Sequence, residues 1–338
     1  MNRIDLRRFE FDYDTTWAAF FVDEKLNVYS RYGGRDERKP EGRMNKQSLL
    51  QTMREVLDVH NQRADATEQF GLPIVQPRSG PFKMPEQIPL LRASHQGCVH
   101  CHQIREYRLL QSYHDGNFTR NELFPYPLPK NIGITVDPKH GHRIQETVPD
   151  SSAAKAGLQA GDVIVGINKT PVHSEFDIRW ALHHSRDDQP VSVIVLRGAE
   201  SENAKVVTIS LVVGADWRQT DTSWRRSMRS VPFPFAMRGY ALTKSQRKEE
   251  GFKADELAIR IISIRGTGLG PNLKLKKRDV IVSIQGDSRH QTFDEFKSDL
   301  LRRYQPGDMV RMTVVRDAKR AIVSGTFPNW FIAENTVP

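Results

Sequence analysis

Cysteine is nearly absent from this chain: there are two in 338 residues, both in one pentapeptide, Cys98-Val99-His100-Cys101-His102. A framework of several disulfides is thereby excluded. No apolar run approaches the ~20 residues of a membrane span. The longest, such as Val191 to Leu196, are of strand length. The opening stretch, Met1 to Arg8, has no apolar signal core, which as written implies the cytoplasm. Nucleic-acid motifs are missing as well. The net charge of +9 is carried by scattered residues with local clusters at Trp224-Arg225-Arg226, Lys274 to Arg278 and Arg302-Arg303. It reads as a solvated basic surface rather than a nucleic-acid footprint.

What is present begins with the cysteine cluster. Cys-x-x-Cys-His is the attachment signature of c-type haem. Cys98 and Cys101 would bond the two vinyl groups, with His102 as axial ligand. No methionine lies between Cys101 and Met228, so a bis-histidine or open-sided haem would be implied. Two alternatives stay open. His95, Cys98, Cys101 and His114 have spacings compatible with a tetrahedral zinc site. The cysteines could instead run thiol–disulfide exchange. Covalent haem is attached outside the cytoplasmic membrane, so the motif and the missing signal conflict unless the natural chain begins upstream of Met1.

Composition fits an α+β multidomain protein, with 38% apolar and 27% charged residues. Four regions can be drawn. Residues 1–64 predict a buried strand at Trp17 to Val22, a second at Val28 to Tyr32, and a helix from about Lys46 to Asn61 carrying Leu49, Leu50, Met53, Val56 and Leu57. This order resembles the C-terminal half of a thioredoxin fold, although the usual proline before the penultimate strand is replaced by Asp14-Thr15-Thr16. A small βα cap packed on the rest of the chain is the alternative. Residues 65–129 are irregular and proline-rich, with a helix expected from about Gly97 to Tyr113. Residues 130–216 and 233–328 form an internal repeat. Asp162 to Ile167 aligns with Asp279 to Ile284, and His173 to Asp177 with His290 to Asp294, both at the same offset.

The segment Ser151 to Ile164, with Ala153, Ala154, Ala156, Gly157, Gly161 and Asp162, resembles the bacterial PDZ signature. The resemblance implies a small β-barrel or sandwich that binds an extended peptide as an added strand, between a strand and a helix. The peptide carboxylate would meet the loop Asn131-Ile132-Gly133-Ile134, with Ile178, Ala181 and Leu182 on the helix wall. The second copy departs from the pattern: Lys274 to Arg278 lacks the glycine of the Gly-Asp turn, and its candidate loop, Met237-Arg238-Gly239-Tyr240, precedes a charged insertion. Peptide capture is therefore expected in the first copy more than in the second.

The combination of thioredoxin-like start, Cys-x-x-Cys-His segment, Phe124-Pro125-Tyr126-Pro127 and PDZ pair resembles a bacterial group of thioredoxin-like/PDZ (seleno)proteins. Truncation of the chain at an internal methionine is implied. No Gly-Asn-Ser-Gly-Gly-type nucleophile loop occurs, and fewer than 130 residues precede the first PDZ copy, which disfavours a protease double barrel. No catalytic residue is singled out. The expectation is a cell-envelope or periplasmic redox protein that holds haem c and docks a partner's C-terminus through its first PDZ domain. The alternative is a non-enzymatic adaptor whose Cys/His cluster is a structural zinc site or thiol pair.

Overall fold

The computed structural model describes residues 1–36, 39, 41–62, 81–94, 97–229 and 234–330. The chain divides into two units, Met1–Ile104 with Phe124–Thr220, and Arg105–Leu123 with Asp221–Pro338.

Unit one starts with β1 (Ala18–Val22) and β2 (Val28–Gly33), an antiparallel pair. The turn between them is fixed by the Asp23 carboxylate, which accepts from the N–H groups of Lys25 and Asn27 at 2.8 Å each. Helix α1 (Lys46–Asn61) is capped by the Asn45 side chain. Then come α2 (Pro89–Ser94) and α3 (Cys101–His114), the latter shared with unit two. A hairpin of β3 (Ile134–Val136) and β4 (Ile144–Thr147) leads into α4 (Ser152–Ala156), β5 (Val163–Ile167), β6 (Thr170–Pro171), α5 (Glu175–His183), β7 (Val191–Arg197) and β8 (Lys205–Leu211). The second sheet has the order β6-β5-β7-β8. Alternating apolar residues of these strands and one face of α5 close a single core that includes Ile134, Ile164, Ile178, Leu182, Val193 and Leu211.

Unit two holds β9 (Met237–Ala241), α6 (Lys244–Glu249), β10 (Ile259–Ile264), α7 (Leu269–Asn272), β11 (Val280–Ile284), α8 (Phe293–Arg303), β12 (Met309–Arg316) and β13 (Lys319–Thr326). All five strands join one antiparallel sheet, β13-β12-β11-β10-β9, with β9 at its edge. The charged insertion after Tyr240 is α6, closed at its start by a Thr243/Gln246 capping box.

The internal repeat is visible in one device built twice. Asp162 accepts two bonds from the Arg197 guanidinium, at 2.7 and 2.8 Å, and Arg197 also donates to the Gly157 carbonyl. Asp279 and Arg316 repeat the pair at 2.7 and 2.8 Å, with Arg316 donating to the Lys274 carbonyl. The turn is kept without its glycines. Gly157 and Gly161 sit at φ +89° and +90°, and Lys274 and Arg278 take the same left-handed region at +52° and +77°. That conformation costs a residue with a Cβ about 1–2 kcal/mol.

The thioredoxin-like expectation for residues 1–64 is not supported. The strands and helix form where the pattern places them. Among the described residues, however, β1 and β2 make a sheet of two strands only. Trp17 and Val22, expected in a buried strand, are exposed. The buried surface is β2, and it packs on α5 rather than into a larger sheet. Residues 1–62 therefore behave as a cap on the helix of the following domain. Helix α3 starts four residues later than expected, because Val99 turns inward and the Gln103 side chain accepts from the His100 N–H at 2.8 Å.

Candidate functional site

An open groove of about 480 Å³ lies in unit two, between β9 and the first turn of α8. Its walls combine Phe235, Met237, Ile262 and Phe293 with the cations Arg229, Arg238, Arg265 and Lys297. The single carboxylate is Asp294, which pairs with Lys297 at 3.0 Å and Arg229 at 3.6 Å. Four cations against one anion make the groove basic. The loop entering β9 is held by its own carbonyls: Phe235 accepts from Gly270 N–H at 2.9 Å, and Ala236 from Arg265 N–H at 3.1 Å. Gly239 lets the β9 backbone come close; a Cβ there would stand 2.7 Å from the Arg260 carbonyl oxygen. Among the described residues β9 is an edge strand, with one side not paired to another strand. A peptide laid there could add as a sixth strand.

In the first copy the corresponding surface is filled by the chain itself. The repeat offset pairs Asp294 with Asp177 and Lys297 with Trp180. Asp177 accepts from the Ser30 hydroxyl at 2.6 Å and from the Arg31 N–H at 2.9 Å. Trp180 lies under the Arg31 guanidinium, 4.2 Å from its ring centre. The Ser174 hydroxyl donates to the Arg31 carbonyl, and Thr52 donates to the carbonyl of His173 at 2.8 Å. Burial pushes the Asp177 carboxyl up, against the opposing pull of Arg31 and Ser30. Arg179, fully buried, meets Asp12 at 2.7 Å and the Arg35 carbonyl at 3.0 Å. Every residue of α5 from Glu175 to Leu182 is buried.

The residues expected to capture a peptide in the first copy sit in this closed environment. Ile132, Ile134, Ile178, Ala181 and Leu182 are all core, at 2% exposure or less. Asn131 reaches away, donating to the carbonyls of Trp217 and Gln219 at 2.8 and 3.0 Å. The N–H groups of Asn131 and Gly133 already bond Leu128 and Lys130 in a 3₁₀ turn over Pro129–Ile132. They are not offered to a carboxylate.

The cysteine cluster is not assembled as a four-ligand site. Cys101 and His114 are the two ends of α3. At 1.5 Å of rise per residue they stand about 20 Å apart and cannot share an ion. His95 lies outside the described residues. Cys98 is exposed and Cys101 half-buried, and the two are not joined as a disulfide. Burial pushes the Cys101 thiol up, which disfavours the thiolate that exchange chemistry requires. The His102 ring stacks on His100, with centroids 5.8 Å apart.

Comparison with known proteins identifies one domain and its relatives. Residues 130–208 match the PDZ domain family, and a PDZ domain is present there. The chain is 27% identical over 156 residues to the periplasmic pH-dependent serine endoprotease DegQ of Escherichia coli, a stretch covering 46% of this chain and 30% of that protein. It is 30% identical over 151 residues to a probable periplasmic serine protease do/HhoA-like of Haemophilus influenzae, covering 45% and 28%. Among solved structures, the HtrA-type protease AlgW with tripeptide is 12% identical, covering 41% of this chain and 60% of that one at a TM-score of 0.23. The chain spans about a third or less of the length of the curated relatives it matches.

These relatives overturn the functional expectation. The matched relatives are periplasmic serine endoproteases, and this kinship contradicts both the haem-bearing electron-transfer protein and the non-enzymatic adaptor. The haem c, redox and thioredoxin-like assignments fall with it. Among the described residues no helix is long and apolar enough to cross a membrane. The sequence marked the loop Met237 to Tyr240, whose first three residues line this groove, but ranked it below the first copy because Lys274 to Arg278 lacks the glycine of the Gly-Asp turn.

Proposed function

We propose that this chain serves proteolysis in the cell envelope as the part that selects the polypeptide to be cut. The observation that carries this reading is the open, basic groove beside edge strand β9. An extended polypeptide would add to β9 through main-chain hydrogen bonds. Its apolar side chains would meet Met237, Ile262 and Phe293, and a terminal carboxylate or acidic side chain would meet Arg238, Arg265 or Lys297. Kinship with periplasmic endoproteases supplies the context in which a captured chain is hydrolysed. In the first PDZ domain, capture of a peptide C-terminus would require Ser30 and Arg31 to leave Asp177 and Trp180.

Hydrogen–deuterium exchange tests the capture step. An unfolded polypeptide with a free C-terminus should protect β9 and the first turn of α8. Protection elsewhere only would refute the site. Turnover of a reporter carrying the same tail, in producing cells with and without the chain, tests the link to proteolysis. A tail that binds but is degraded equally in both would sink it.

A further inference from the structure

Glu10, His183 and His184 bring a carboxylate oxygen and two imidazole nitrogens within 4.8 Å of one another, and all three residues are half-buried. We propose that they bind a divalent first-row transition ion, with zinc as the representative case.

Two imidazoles and one carboxylate form a donor set that such ions accept, with a further position left to water. The tautomer of His184 is fixed by its surroundings. Its Nδ1 lies 2.8 Å from the Trp180 carbonyl oxygen, which can only accept, so Nδ1 carries a proton. That leaves Nε2 turned to Glu10 Oε2 at 3.0 Å. A bare nitrogen lone pair facing a carboxylate is repulsive, so something positive must lie between them: a second proton or a metal ion. The N–H to carbonyl bond on the far ring nitrogen is the arrangement that orients metal-bound histidines.

Four further features favour the ion. His183 and His184 end α5, where the helix dipole attracts a cation. Trp180 and Tyr126 hold the two rings: Trp180 lies 4.1 Å from the His184 ring and Tyr126 4.2 Å from that of His183. The Glu10 main chain is fixed by Arg31 Nε, which donates to its carbonyl at 3.0 Å. The nearby Arg218 is neutralised by Asp187 at 2.6 Å. Bonds of about 2.1 Å place tetrahedral ligands about 3.4 Å apart, so on loading the Glu10–His184 pair opens slightly from 3.0 Å while wider separations within the set close. The ion would tie the N-terminal segment to the last turn of α5.

The test is titration of the metal-stripped full chain with zinc chloride by calorimetry. One zinc per chain is expected. Binding should be about tenfold or more weaker in Glu10→Gln and in His184→Gln, and unchanged in Cys98→Ser/Cys101→Ser. Absence of binding overturns the proposal. So does binding that survives both ligand variants. Cobalt(II) loaded into the unaltered chain gives a readout free of folding effects. The expected spectrum is that of a nitrogen–oxygen site. A thiolate-to-cobalt charge-transfer band would place the metal on the cysteines and contradict the assignment.

Discussion

Asp12 and Arg179 offer the sharpest test of how residues 1–62 dock on α5. Arg179 is 0% exposed and Asp12 is 0% exposed, with the guanidinium donating to the carboxylate at 2.7 Å. Asp12→Ala leaves a buried guanidinium with the Arg35 carbonyl as its remaining acceptor of known distance. Removing one partner of a buried ion pair costs about 3–5 kcal/mol, because the other charge is stranded away from water. In a unit of roughly 200 residues that lowers the melting transition by about 6–20 °C. Urea denaturation of the full chain, followed by tryptophan fluorescence, should show the loss in one transition. Asp12→Ala combined with Arg179→Met should recover most of it, since neither member of the pair is then left without the other. A loss below about 1 kcal/mol is what a solvent-exposed pair gives, and would refute the docked arrangement. An additive double variant would do the same.

Other outcomes follow from the same geometry. Arg278→Gly should stabilise unit two by about 0.5–1 kcal/mol by removing a left-handed Cβ, while Gly161→Val should destabilise unit one by about 1–2 kcal/mol; chemical denaturation reads both, and a destabilising Arg278→Gly or a neutral Gly161→Val would contradict the repeat. His142 is buried with its pKa held down by burial, against the raising effect of Glu55. Its contribution is therefore complete above the ordinary histidine value and is lost as the pH falls through its lower folded value. His142→Gln should flatten stability below about pH 6.5, by up to about 1.4 kcal/mol per pH unit; parallel curves for variant and parent would show that His142 does not carry the effect. Cys98 should be alkylated by iodoacetamide faster than Cys101, whose thiol is raised by burial; equal rates under native conditions would contradict the placement of Cys101.

Legibility in the sequence followed the range of the interactions. The first PDZ copy was readable because its turns and short helix are local: Ser151 caps, Gly157 and Gly161 take positive φ, and Asp162 opens the strand. The strands and helix of the N-terminal segment were readable for the same reason. Their destination was not. Ser30, Arg31 and Thr52 make their decisive bonds to residues more than 100 positions away, and a polar side chain carries no periodic signal for such a partner. The second copy misled in the opposite way. Missing glycines lowered the expectation of peptide capture there, whereas Lys274 and Arg278 accept the left-handed backbone and keep the turn. The Cys-x-x-Cys-His run was the most conspicuous motif and the least informative. Its spacing says nothing about His114 being carried to the far end of a continuous helix.

The central claim is that the groove beside β9 selects polypeptides. Fluorescence anisotropy with labelled peptides ending in a free carboxylate measures it directly, using the unaltered chain, Gly239→Val and Lys297→Ala. The account predicts saturable binding that Gly239→Val abolishes, that Lys297→Ala weakens by about tenfold, and that amidation of the peptide terminus also weakens. Binding that Gly239→Val leaves intact, or no binding to any peptide of the set, would contradict it.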